Sequence, residues 1–306
     1  MSDTTIIHVK EDPSLIKIIL SNKSLTAGLI ILVVLALIAL IGPFFTGDPI
    51  AINPMKRIKP PGPEMWFGTD PLGRDIFSRT ISGGRISLTV GVAVAGVSVF
   101  IGLFLGLLAG YIRLLDAIIM RVMDGLMAIP GILLAIALIS LSGATILTVI
   151  VAITIPEIPR VVRLVRSVVL TVREEAYVEA AIAAGTKLPS IMVRHILPNT
   201  IAPLIVQATY VCASAMLTES ILGFLGAGIP PEIPSWGNIM SEGRTYFQLC
   251  PWIIFFPGVA LGITVMSVNI VGDGLRDTLD PRICLLYTSD AADEGLGVDL
   301  GGRRII

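Results

Sequence analysis

Covalent chemistry needs nucleophiles, bases or metal ligands, and this sequence is poor in all three. It has two histidines, His8 and His195, and three cysteines, Cys212, Cys250 and Cys284, too scattered for a zinc site or a disulfide framework. No G-x-x-x-x-G-K-[ST] phosphate loop occurs anywhere in the chain. What stands out instead is acids beside apolar runs. Glu219 follows the uncharged run 198–218, and Glu157 follows the run 144–156. Ionisable groups at membrane depth are functional candidates by default. Glu219 is a candidate pathway or gating residue that could meet an amino terminus or a cation; the competing reading pairs it with an arginine on a neighbouring helix.

The second pattern is TVREEAYVEAAIAAGTKLPSIMVRHILP, residues 171–198. Thr171 followed by Glu174 fits a capping box, so a helix is expected to begin there. Glu175, Glu179, Ala180 and Ala181 favour a helix that Gly185 stops in a left-handed turn. Pro189 suits the first turn of a second short helix, which Arg194 and His195 would close before Pro198 opens the next apolar run. Ala180, Ala181, Ala183 and Ala184 leave one side of the first helix almost bare, a shape fitted to a groove on another protein. A DNA-binding helix-turn-helix has this outline, but the acids Glu174, Glu175 and Glu179 and the flanking apolar runs speak against it. A plain structural connector and a docking element remain.

The elements that position these residues are membrane spans. The chain is 54% hydrophobic and 15% charged, with a mean hydropathy of +0.87 and a net charge of -1, which excludes a basic nucleic-acid binder and disfavours a soluble enzyme. A bilayer core takes about 20 apolar residues in a helix. Runs at 25–45, 86–112, 125–143, 144–156 extended by 161–170, 198–218 and 249–272 give six spans, an all-α integral membrane protein. The first is too long for a signal peptide and lacks a cleavage site, so it is read as a permanent anchor. With six spans both termini share a side. Lys10, Lys17, Lys23, Arg113 and the arginines between 160 and 194 place that side in the cytoplasm. The loops 46–85 and 220–248 then face outward. Arginines of the fourth span are expected to snorkel to the headgroups, and Asp70, Arg74 and Asp75 to form surface pairs of small worth. Gly102, Gly106 and Gly110 recur every four residues, the pattern of a close helix contact.

Glu179-Ala180-Ala181, then Gly185 and Leu197-Pro198 at this spacing, resemble the EAA loop of the membrane subunits of ABC importers. RHILPN at 194–199, with His195 where the general pattern has an aliphatic residue, resembles the dipeptide/oligopeptide/nickel branch. FGTDPLGRDIFSRTISGGRISL at 67–88, MRVMDGLMAIP at 120–130, PSWGNIM at 234–240 and GDGLRDTLDPR at 272–282 agree in order. The resemblance implies a type I ABC importer permease fold: a cytoplasmic segment 1–24, an anchor helix 25–45, an external loop 46–85 and a five-helix core 86–282 with its coupling loop at 171–198. It implies a second homologous permease subunit, two ATPase subunits that carry ATP and Mg, an external solute-binding protein and a lipid environment in the cell's inner membrane. This chain would bind no cofactor, metal or nucleic acid and catalyse nothing. Glu175, Glu179, Ala180, Ala181, Gly185, Leu197 and Pro198 would make the ATPase-coupling contact. An ion-gradient-driven secondary transporter is the alternative, and it leaves the EAA loop unexplained. After Arg282 the pattern ends, and 283–306 reads as an artefactual or disordered tail.

Overall fold

The computed structural model describes residues 22–279. The segment 1–21 and the tail expected at 283–306 lie outside the described residues. Helix α1 (Lys23–Ile41) starts at Asn22, whose side chain accepts from the Ser24 and Leu25 amides, and ends at Gly42-Pro43. It lies along the last helix, α10 (Trp252–Leu279), where Gly28 meets Ile270 and Gly274 meets Leu25.

Helix α2 (Ile76–Tyr111) has 36 residues, about 54 Å at 1.5 Å per residue and longer than a bilayer core is thick. It begins ten residues before the expected start of the span at 86. The cause is Asp75, which accepts from the Phe77 and Ser78 amides at 3.3 and 3.0 Å and caps the helix rather than joining a surface ion pair.

The expected third span, 125–143, is broken. Helices α3 (Arg113–Ala128) and α4 (Gly131–Ser142) meet at Ile129-Pro130 with a bend of 89°. Pro130 bars the α region to the residue before it and has no N–H of its own. The fourth span is one helix, α5 (Ile146–Arg173), with Pro156 and Pro159 inside it and a reciprocal Thr145–Thr148 cap at its start. The capping box predicted at Thr171 does not form, because Thr171 lies inside α5 and its hydroxyl bonds back to the Ser167 carbonyl.

Helix α6 (Ala176–Ala183) follows, then α7 (Leu188–Ile191), a π turn at Met192–Ile196 and α8 (Leu197–Phe224). The second helix of the loop therefore does not close at His195. Pro198 has no N–H to send four residues back, and the helix widens instead, with the Leu197 amide bonded to the Met192 carbonyl. A short α9 (Trp236–Arg244) precedes α10.

All described regular elements are helical. Four helices (α1, the α7–α8 run, α2 and α10) are long and apolar enough to cross a membrane, and the bent α3–α4 pair makes up to five. Helix α5 has the length of a further crossing, but charges dilute its apolar character. Two of the arginines among those charges are paired across to α3. Arg166 is bidentate to Asp116, with one arm at 2.7 Å, and Arg163 reaches Asp124 at 2.7 Å, so the polar faces of α3 and α5 satisfy each other. On the other side of α5 the glycine stripe is filled. A Cβ on Gly102, Gly106 or Gly110 would stand 2.5–2.6 Å from Cβ of Val161, Val165 and Val169. Only glycine admits that approach, and the α2–α5 contact forms the spine of the bundle.

Candidate functional site

At the end of the bundle where α5 stops, the chain turns through Glu174 and Glu175 into α6. Val178 is fully buried and packs into the core cluster that also holds Val172, Ile191 and Ile196. It is the apolar peg of an otherwise outward-facing helix. Glu175, Glu179, Ala180, Ala183 and Ala184 are exposed, with Ala181 half-buried at the edge. The helix closes in a Schellman motif: the Thr186 amide bonds to the Ala181 carbonyl at 3.1 Å and the Gly185 amide to the Ile182 carbonyl at 3.0 Å. Gly185 takes a φ of 77°, and no heavy atom lies within 4 Å of where its Cβ would stand. The requirement for glycine here is conformational and owes nothing to crowding.

The return is equally fixed. Pro198 is exposed and Leu197 half-buried at the start of α8. Asn199 bonds to the His195 carbonyl at 2.6 Å and to the Tyr177 hydroxyl at 3.1 Å, so it ties the head of α8 to α6. The predicted residues 175, 179–181, 185 and 197–198 therefore form one contiguous protrusion. Between it and the bundle lies a cavity of about 600 Å³ lined by Gly110, Arg113, Asp116, Arg173, Glu179 and Ile182. Arg173 lies over the Tyr111 ring at 5.5 Å and braces this wall.

Glu219 lies far from this protrusion. It is fully buried in α8 and accepts from the Ser87 hydroxyl at 2.9 Å and more weakly from Ser220 at 3.4 Å. Ser87 in turn accepts from the Trp236 amide, the first residue of α9. The predicted arginine partner is replaced by this serine relay from α2 and the α9 N-terminus. The arginines at that end are used elsewhere. Asp70, Arg74, Arg79 and Glu242 form one ionic cluster, with Arg79–Asp70 at 2.8 Å, Arg74–Asp70 at 2.5 Å and both arginines on Glu242. Asp70 and Arg79 are buried, at 0% and 1% exposure. The cluster fastens the 46–75 connection to α9, a pairing more than 160 positions apart that local sequence spacing does not reveal. The only sequence signal was the density of charges in GTDPLGRDIFSR, read as surface pairs. Among the described residues no group of His, Cys, Asp or Glu could hold a metal ion.

The sequence of this all-helical chain matches known proteins over most of its length. The family model described as binding-protein-dependent transport system inner membrane component matches residues 98–284, more than half of the chain. The chain belongs to that family. A second model, the N-terminal TM domain of oligopeptide transport permease C, matches residues 16–61 and so covers the anchor helix. A probable peptide ABC transporter permease of Sinorhizobium fredii is 54% identical over 80% of this chain and 84% of its own length. The dipeptide transport system permease of Alkalihalophilus pseudofirmus is 45% identical over 86% and 87%. The oligopeptide transport system permease of Bacillus subtilis is 40% identical over 86% and 87%. A solved structure of the MetNI methionine ABC transporter, inward facing, shares the fold: its TM-score is 0.50 at 22% identity, covering 63% of this chain and 94% of that one. The chain is a multi-pass membrane permease component of this transport family.

Proposed function

We propose that this chain is one permease subunit of an ATP-driven importer for peptides or a similar small solute, and that α6 is its coupling helix. One observation carries the reading: α6 is held outside the bundle on a single buried peg, Val178, with small residues facing out and a rigid glycine stop. A helix so built is a transmitter, stiff towards the core and shallow enough to seat in a cleft. With no phosphate loop in the sequence, ATP and Mg belong to two separate ATPase subunits, and their closure arrives here as mechanical force. This chain performs no covalent chemistry.

The α6 end and both termini then face the cytoplasm. The opposite end, with 46–75 and α9, faces an external solute-binding protein, and a second, homologous permease completes the path. Alternating access is a population shift between inward-open and outward-open arrangements, biased by the ATPases. Glu219 acts in gating rather than solute contact, since it is sealed from solvent and joins α2, α8 and the start of α9. Removing its carboxylate with Glu219→Ala strands the Ser87 hydroxyl and is expected to cost about 1–3 kcal/mol of stability. Glu219→Gln keeps an acceptor and costs less than half of that. Thermal unfolding of the two purified variants checks the order, and equal losses would sink the assignment.

The decisive test is affinity purification of this chain from its native membrane in mild detergent. A phosphate-loop ATPase and a second permease in comparable amounts are expected. The chain alone, with uptake that ionophores abolish and ATP does not restore, would make it an ion-driven carrier.

A further inference from the structure

Arg163 and Arg166 of α5 pair with α3, whereas Arg160 pairs only within its own helix, with Glu157. Its depth follows from its neighbour in sequence. Val161 packs against Gly102 of α2. Every stretch of about 20 residues that could fill a bilayer core from the uncharged run 86–112 contains Gly102. Arg160 therefore stands within the hydrocarbon layer, yet its side chain is 57% exposed. Nor does it snorkel. Its Nη1 donates to both Glu157 oxygens at 3.3 and 3.4 Å, one turn back along α5 and away from the α6 end. Leu147 and Val151, the exposed apolar residues of α5, lie on the opposite side of the helix at about 100° per residue. Lipid covers that side and not the side of Arg160. An exposed guanidinium at this depth is costly unless it faces water or an anion.

Glu157 is the buried half of the pair and also accepts from the Ser214 hydroxyl of α8 at 2.9 Å. The pair thus turns its cation outward. A cavity of about 670 Å³ adjoins it between α5, α8 and α10, running along α8 from Pro198 to Tyr210 and bounded by Leu164 on α5. Leu164 follows Arg160 by one turn, and Ser214 follows Tyr210 by one turn. Arg160 and Ser214 therefore stand a turn beyond the cavity's deep end, on neighbouring helices.

We infer that Arg160 is a carboxylate-reading station on the solute path, which takes the C-terminal carboxylate of a peptide before it passes into the cavity. Glu157 and Ser214 are positioning residues. Glu157 engages Nη1 alone, and the Nε–Nη2 edge is the one that grips a carboxylate with two parallel hydrogen bonds. The station reads a group that every linear peptide carries, while Leu164, Pro203 and Val206 offer its side chains an apolar, unselective wall. The inference rests on the importer reading above.

The test uses the permease pair with its ATPases in lipid nanodiscs, without the solute-binding protein, so that any selectivity belongs to the membrane complex. Leu164→Cys places a reporter thiol on the cavity wall. Its maleimide labelling is measured against the complex without that substitution, which corrects for native cysteines. Dialanine is expected to protect the thiol at a concentration about tenfold below that needed for dialanine C-terminal amide, the worth of one charge-assisted hydrogen bond. Arg160→Gln should erase that ratio, and Arg160→Lys, which keeps the charge without the fork, should retain part of it. Equal protection by acid and amide, none by either, or a ratio unchanged by Arg160→Gln would overturn the station in a complex that imports dialanine once its solute-binding protein is restored. Loss of the second permease from the Arg160→Gln complex would also overturn it and assign Arg160 to the subunit interface. A complex that hydrolyses ATP but imports no peptide would overturn the importer reading itself.

Discussion

Arg79→Met destabilises the folded chain by about 3–5 kcal/mol, the usual cost of removing one partner from a buried ionic cluster. Arg79 is 1% exposed and donates to Asp70 at 2.8 Å and to Glu242 at 2.9 and 3.0 Å. Without it, the fully buried Asp70 keeps only Arg74 and its bonds from the Leu72 and Arg74 amides. Glu242 is part-exposed, at 24%, so water partly repays its loss; the damage falls on Asp70. Equilibrium unfolding of the purified chain in mild detergent measures the loss. The double variant Arg79→Met with Asp70→Asn removes both buried charges and should recover at least half of it. A single-variant loss below about 1 kcal/mol would mean that the cluster is solvated and behaves as surface pairs do. Because the cluster joins the 46–75 connection to α9, local unfolding there should expose Trp252, whose indole N–H bonds to the Thr69 carbonyl at 3.2 Å.

How much of this architecture the sequence revealed depends on the range of the interaction. The glycine stripe and Gly185 are local, and each is satisfied in the structure as its spacing implied. Breaks were harder to read. Apolar composition alone cannot tell a straight span from the α3–α4 bend, although Ile129-Pro130 carried the signal, since a proline restricts its predecessor. The polar face of α5 reads as snorkelling arginines until Asp116 and Asp124 of α3 are placed opposite. Capping misled at Thr171 because a hydroxyl inside a long helix can bond back to its own turn as readily as start a new one. The ionic cluster and the serine relay to Glu219 join residues more than a hundred positions apart. No periodicity within one segment encodes such partners.

Gly185→Val abolishes coupling while the bundle still inserts and folds. The glycine holds a φ of 77°, a region that costs other residues about 1–2 kcal/mol and β-branched ones most. Its site is open, with nothing within 4 Å of a built Cβ, so the substitution injures the turn and nothing else. To escape the strain, the chain must break the Schellman bonds from Gly185 and Thr186 to Ile182 and Ala181, which fray the end of α6. Val178 still anchors the first turn, so the helix loosens at its exposed C-terminal end rather than at its root. The expected result is at least a tenfold drop in ATPase subunit recovered with the chain, with unchanged membrane yield and thermal stability within about 2 kcal/mol. Gly185→Asn should be mild, because asparagine tolerates the left-handed region, and Gly185→Ala intermediate. That order separates conformation from volume. Alanine is smaller than asparagine, so a pure size effect would reverse the two, and full ATPase recovery with Gly185→Val would remove α6 from the coupling role.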